Sequence, residues 1–141
     1  MPNTSVIIPA LNEEQNIPLV LAAIPKDIHQ VVVVDNGSTD NTAQVAVDLG
    51  ATLVQEPIRG YGQACLAGIK AAKKTDILVF LDADFCDDPE LIPQLIAPII
   101  NNQIDMVLGS RCLTPEAKKN LSPQQRWGNS CLLYTSPSPR D

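Results

Sequence analysis

The chain has 141 residues, which fits one ordinary domain, and with 45% hydrophobic and 18% charged residues it can bury a core. Its net charge of -6 and pI near 4.6 argue against nucleic-acid binding by bulk charge. A phosphorylated ligand would have to be held locally, by helix N-termini, single Arg or Lys side chains, or a divalent cation. Cys65, Cys86, Cys112 and Cys131 form no CxxC pair, so they read as reduced thiols of a cytoplasmic protein. Met1 runs straight into a strand pattern, so no signal peptide is expected. No apolar run reaches about 18 residues, so no transmembrane helix is expected either. Membrane contact would then be peripheral or come from regions outside this sequence.

Thr4 to Pro9 reads as a short buried strand. From Asn12 to about Ile24 the pattern is helical, with Ile17, Val20, Leu21 and Ile24 at helical spacing and Pro18 tolerated near the start. Val31 to Asp35 is a continuous β-branched run, which predicts a strand covered on both faces. The polar turn NGSTD leads into a helix over 41–49, with Gly50 at its C-terminal cap. Thr52 to Gln55 is a third strand. A helix opens at Gly60-Tyr61-Gly62 and runs to about Lys73. Asp76 to Leu81 is a fourth strand and is followed by the acidic loop 82–88. Pro89 can open a helix that reaches about Ile100, interrupted by Pro93 and Pro98. Ile104 to Leu108 is expected as a fifth strand.

Strands and helices alternate, which predicts an α/β fold, a three-layer α/β/α sandwich around a mostly parallel sheet. Ligands in such sheets bind beyond the carboxyl ends of the strands. That edge would carry residues 9–13, 35–40, 59–62, 82–84 and 110–111, which are the unusual polar clusters of the chain.

Asp82-Ala83-Asp84 concentrates two carboxylates after a strand. Mg²⁺ or Mn²⁺ shared with a diphosphate suits such a pair, and a solvated acidic loop is the alternative. Asp35, at a strand terminus, can accept from a base or ribose. Gly37 permits a tight turn, and Ser38, Thr39 or Asp40 can cap the next helix. Asn12 suits an N-cap, with Glu13 and Glu14 in the first turn. Arg59 and Gly60 could approach phosphate, and the GxGxxG-like spacing there is discounted as a dinucleotide motif because Cys65 takes its last position. Arg111 could meet phosphate or pair with Asp84. His29 precedes a strand and is not expected to be catalytic.

Together SVIIPALNEE, VVVVDNGSTDNT, RGYGQA, FLDAD, LGSR and LSPQQRWGN resemble family 2 glycosyltransferases of GT-A-type fold, closest to bacterial relatives of the polyprenyl- or dolichyl-phosphate sugar synthases. The resemblance covers about residues 3–130. It implies a Rossmann-like nucleotide-diphospho-sugar transferase fold and a metal-assisted hexosyltransferase. Pro9, Asn12, Glu13, Asp35 and Gly37 would then cradle the nucleoside of a UDP- or GDP-linked sugar. Arg59 and Gly60 would lie against base or diphosphate. Asp82 would sit by ribose or metal, and Asp84 would bind Mg²⁺ or Mn²⁺. Arg111 would face the donor sugar or phosphates, and Gln124, Gln125 and Arg126 would begin the acceptor side. The implied acceptor is a lipid phosphate. A non-catalytic nucleotide-sugar-binding fragment and a sugar nucleotidyltransferase are the other readings. Residues 1–130 are expected to be the incomplete transferase domain, and 131–141 a non-native tail.

Overall fold

The computed structural model describes residues 2–109. Four strands, β1 (Thr4–Ala10), β2 (Gln30–Asp35), β3 (Thr52–Gln55) and β4 (Ile77–Phe80), form one parallel sheet in the order β3-β2-β1-β4. The register aligns Ala10 with Asp35, and Asp35 with Gln55, so these strands end level at one edge. The connecting helices are α1 (Ile17–Ala23), α2 (Thr42–Asp48) and α3 (Tyr61–Ala71). A short 3-10 turn, Pro89–Leu91, leads into α4 (Ile92–Ile100).

The central strands are apolar along their length because both faces are covered. Val6, Ile8, Val33, Ile77 and Val79 pack in one buried cluster with Ile17 and Val20 of α1, Ala46 of α2, and Ile92 and Ile96 of α4. Ile7, Val32 and Val34 point the other way and pack against Ala64 of α3. Fully burying each such side chain stabilises the fold by ~1.5–3 kcal/mol. The approach of α3 is close. A Cβ on Gly68 would lie 2.4 Å from Ile7 Cγ2 and 3.2 Å from Val34 Cγ2. β4 is less well covered on this face. Ile77 and Val79 are buried, whereas Leu78 and Phe80 are 38% and 44% exposed.

Two expectations need correction. The first helix begins at Ile17 rather than Asn12, because residues 11–16 fold into turns held by Glu13 and by the loop after β2. The segment Ile104–Leu108 is not a strand. Ile104, Met106 and Leu108 are 44%, 70% and 79% exposed, and no ladder partner for them exists among the described residues. The edge strands β3 and β4 each pair on one side only, and this segment joins neither, so its β propensity is not realised in a ladder. Pro98, in contrast, sits inside α4 without ending it. Arg111, Gln124, Gln125, Arg126, Cys112, Cys131 and the tail 131–141 lie outside the described residues.

Candidate functional site

The loops after β1 and β2 are built as one unit. Asn12 is left-handed (φ 55) and is not an N-cap. Its backbone N–H donates to Ser38 Oγ at 2.9 Å, and its Oδ1 accepts from the Thr39 N–H at 2.8 Å. A short polar side chain tolerates that backbone conformation and can form such bonds. Glu13 donates its N–H to the buried Thr42 Oγ1 at 2.9 Å and accepts from Asn16 Nδ2 at 2.8 Å. Glu14 accepts from the Asn41 N–H at 3.0 Å. Asp40 Oδ1 accepts from the Thr42 N–H at 2.9 Å and from the Thr42 hydroxyl, and its Oδ2 accepts from the Glu14 N–H at 3.3 Å. The Thr42 hydroxyl bond holds the Asp40 carboxyl below the usual aspartate range. The N-cap of α2 is Asn41, which makes no side-chain cap bond, rather than Ser38, Thr39 or Asp40. From the position before it, Asp40 takes the first N–H of the helix and joins the two loops.

Asp35 is buried at the end of β2 and accepts from the Ser38 N–H at 3.0 Å, which closes the turn in which Gly37 has φ 92. The loop after β3 reaches the same place. A Cβ on Gly37 would meet Arg59 Nε at 3.8 Å, so the Arg59 side chain lies against the Asp35–Asp40 turn. Gly60 has φ 141, a conformation L side chains rarely adopt. Asn36, which the motif reading passed over, is 7% exposed and spans the gap between these loops. Its Nδ2 donates to Glu56 O (2.8 Å) and Ile58 O (2.9 Å), and its Oδ1 accepts from the Gly60 N–H (3.0 Å).

The acidic loop stands beyond β4. Ala83 is buried in the core, while Asp82 is half-buried and Asp84 exposed. Asp84 Oδ1 accepts from the Cys86 N–H at 3.0 Å, around a left-handed Phe85 (φ 58). The Tyr61 hydroxyl, at the start of α3, donates to Asp82 Oδ1 at 3.5 Å. Burial, and then the Asp82 charge, push the Tyr61 phenol up to about 12, and burial raises the Cys65 thiol beside it. Tyr61 is a second residue the motif reading did not single out as a site residue.

Pro9, Asn12, Glu13, Asp35, Gly37, Arg59, Gly60, Asp82 and Asp84 are thus all on, or in loops following, the carboxyl end of the sheet. Among the described residues no group of three or more His, Cys, Asp or Glu is placed to enclose a metal ion. The donors expected from the sequence are the two carboxylates Asp82 and Asp84, half-buried and exposed. That set does not fit zinc or a calcium cage. It fits Mg²⁺ or Mn²⁺, which take few protein oxygens and complete their shell with phosphate and water.

Residues 5–139 match the family described as Glycosyl transferase family 2. An uncharacterized glycosyltransferase of Mycobacterium tuberculosis is 47% identical over 107 residues, covering 76% of this chain and 48% of that protein. The UDP-N-acetylglucosamine–dolichyl-phosphate N-acetylglucosaminyltransferase of Methanococcus voltae is 32% identical, covering 92% of this chain and 60% of its own length. Among solved structures, glucosyl-3-phosphoglycerate synthase from Mycobacterium tuberculosis, in complex with Mn²⁺ and UDP-glucose, superposes with a TM-score of 0.65 at 33% identity. That superposition covers 72% of this chain and 40% of the synthase. The chain spans about half the length of the first curated relatives it matches. The parallel-sheet GT-A fold expected from the sequence is borne out. With the match running over nearly the whole sequence, the chain belongs to glycosyl transferase family 2.

Proposed function

We propose that the full-length protein is a hexosyltransferase that takes its sugar from a UDP- or GDP-linked donor, with this chain forming the donor side. The observation that carries this reading is the meeting of the loops after β1, β2 and β3, joined by side-chain bonds, on the sheet edge where Asp82 and Asp84 also stand. The similar synthase bound to Mn²⁺ and UDP-glucose supports the donor class. The dolichyl-phosphate transferase among the relatives supports a lipid phosphate as acceptor.

In this reading Pro9, Asn12, Glu13, Asp35 and Gly37 hold the nucleoside, with Asp35 accepting from base or ribose. Arg59 and Gly60 face base or diphosphate. Asp82 orients the ribose or a metal ion, and Asp84 holds the metal. Arg111 would face the donor sugar or its phosphates. A bound Mg²⁺ or Mn²⁺ supplies Lewis-acid neutralisation of the departing diphosphate. A phosphate acceptor is already anionic near neutral pH, so it needs no general base from this chain. No helix among the described residues is long and apolar enough to cross a membrane. In this reading the protein meets a lipid acceptor from the cytoplasmic side, by peripheral contact or through sequence outside this chain. A sugar nucleotidyltransferase is disfavoured by the glycine-free turn PALNEE after β1.

The test is transfer of labelled sugar from UDP-glucose or GDP-mannose into the lipid fraction by the full-length protein, with and without polyprenyl phosphate. Label in lipid that depends on a divalent cation is the expected result. Donor binding without sugar release under every condition would leave a non-catalytic binding module instead.

A further inference from the structure

We propose that Asn36 is the positioning residue of the donor site. It would set donor affinity by shaping the 56–60 loop, without touching the donor itself. The inference rests on the donor-site reading above for its ligand and on the hydrogen bonds of Asn36 for its mechanism.

Asn36 directly follows β2, between Asp35 and the positive-φ Gly37, and its side chain turns inward and is 7% exposed. Both its amide hydrogens are used, on Glu56 O and Ile58 O, and its carbonyl oxygen takes the Gly60 N–H. The segment it holds is otherwise outside the core: Pro57, Ile58, Arg59 and Gly60 are all exposed. Arg59 lies between two of these anchors, the Ile58 carbonyl and the Gly60 N–H. Fixing those neighbours fixes the direction in which Arg59 leaves the backbone, toward Gly37. It also fixes the start of α3, and with it Tyr61 beside Asp82.

The chemistry is specific to asparagine. Two donors and one acceptor must fan out from a single short side chain. Aspartate offers the same shape but would place a carboxylate oxygen opposite two carbonyl oxygens. Serine offers one donor, and a glutamine would be a methylene too long. Backbone groups that lose such partners turn to water for new ones, so the loop would open toward water in these variants. A flexible loop must be ordered again when ligand binds, which weakens affinity.

The experiment compares the wild-type chain with Asn36→Asp, Arg59→Ala and the double variant. Each is titrated calorimetrically with UDP and Mn²⁺, and amide exchange of residues 56–60 is followed without ligand. Asn36→Asp is expected to weaken UDP by about tenfold and to speed exchange in 56–60. The double variant should lose less than the sum of the two single losses, because part of what Asn36 does is to aim Arg59. An unchanged UDP affinity in a folded Asn36→Asp protein, or fully additive losses in the double variant, would overturn the proposal. Asn36→Ser carries the same expectations if Asn36→Asp does not fold. Should wild type bind no nucleotide at all, the donor-site reading fails. Exchange then decides the positioning claim by itself: protection of 56–60 retained in the variant overturns it, and protection lost upholds it.

Discussion

After β1, β2 and β3 the polar side chains reach across from loop to loop: Asn12 to Thr39, Glu14 to Asn41, Asn36 to Gly60. After β4 the bonds described for Asp84 and Asp88 stay within their own turns, to the N–H groups of Cys86 and Glu90. Both regions stand at the carboxyl edge of one sheet, yet their construction differs. The first is assembled before any ligand arrives, so little ordering is left for binding to supply. In the second, two like charges stand a residue apart, an arrangement that favours capture of a cation. On the proposed function, the first would serve as a preassembled cradle for the nucleoside and the second as an ion-dependent seat for the diphosphate.

The contrast can be attacked first at the packing beneath the cradle. Gly68→Ala would drive a methyl into Ile7 and Val34 and lift α3 from the sheet. A loss of about 3 kcal/mol in urea unfolding is expected. Part of it should return in Gly68→Ala/Ile7→Ala, since the two sites share one contact. A neutral Gly68→Ala would mean that α3 is not seated as described.

A smaller loss, about 2 kcal/mol, is expected for Thr42→Val. That change keeps the volume but removes the hydroxyl that accepts from the Glu13 N–H and donates to Asp40. Asp84→Asn should stay within about 0.5 kcal/mol of wild type, because its side chain is exposed and an amide oxygen can still accept from Cys86. Equal losses for the two variants would erase the distinction between the regions.

The smallest effect concerns pH. The Asp40 carboxyl titrates below the ordinary aspartate value because of Thr42. A group whose pKa is lowered by folding contributes stability above its unfolded pKa of about 3.9 and loses it as pH falls through the folded value. Carboxyl NMR should show the Asp40 titration moving up, toward the ordinary aspartate range, in Thr42→Val. An Asp40 titration indifferent to Thr42 would remove that bond from the account.

Much of the fold is legible in the sequence because local pattern suffices for it. VVVVD announces a strand covered on both faces, and Gly50 with φ 86 ends α2 as its position suggests. That Ile104–Leu108 is no strand was not legible, since propensity cannot say whether a segment reaches the free edge of a sheet. The site was readable at the level of which loops converge, through the strand-end rule. Its wiring was not. Asn36 sits inside a turn motif that accounts for it locally, yet its partners lie 20–24 residues away in sequence. Asn12 is well suited to an N-cap by type, and it serves a neighbouring loop instead. Tyr61 reads as a helix-start residue until the end of β4 is brought beside it.

The central claim is that the nucleoside seat is preassembled and the diphosphate seat depends on a cation. It is tested most directly by titrating UMP and UDP into wild type and Asp84→Ala, with and without Mn²⁺. The account predicts that UMP binds alike in all four conditions. It predicts that Mn²⁺ tightens UDP by about 100-fold in wild type, and that Asp84→Ala abolishes this gain. UDP binding that ignores both Mn²⁺ and Asp84, or UMP binding that requires them, would contradict it.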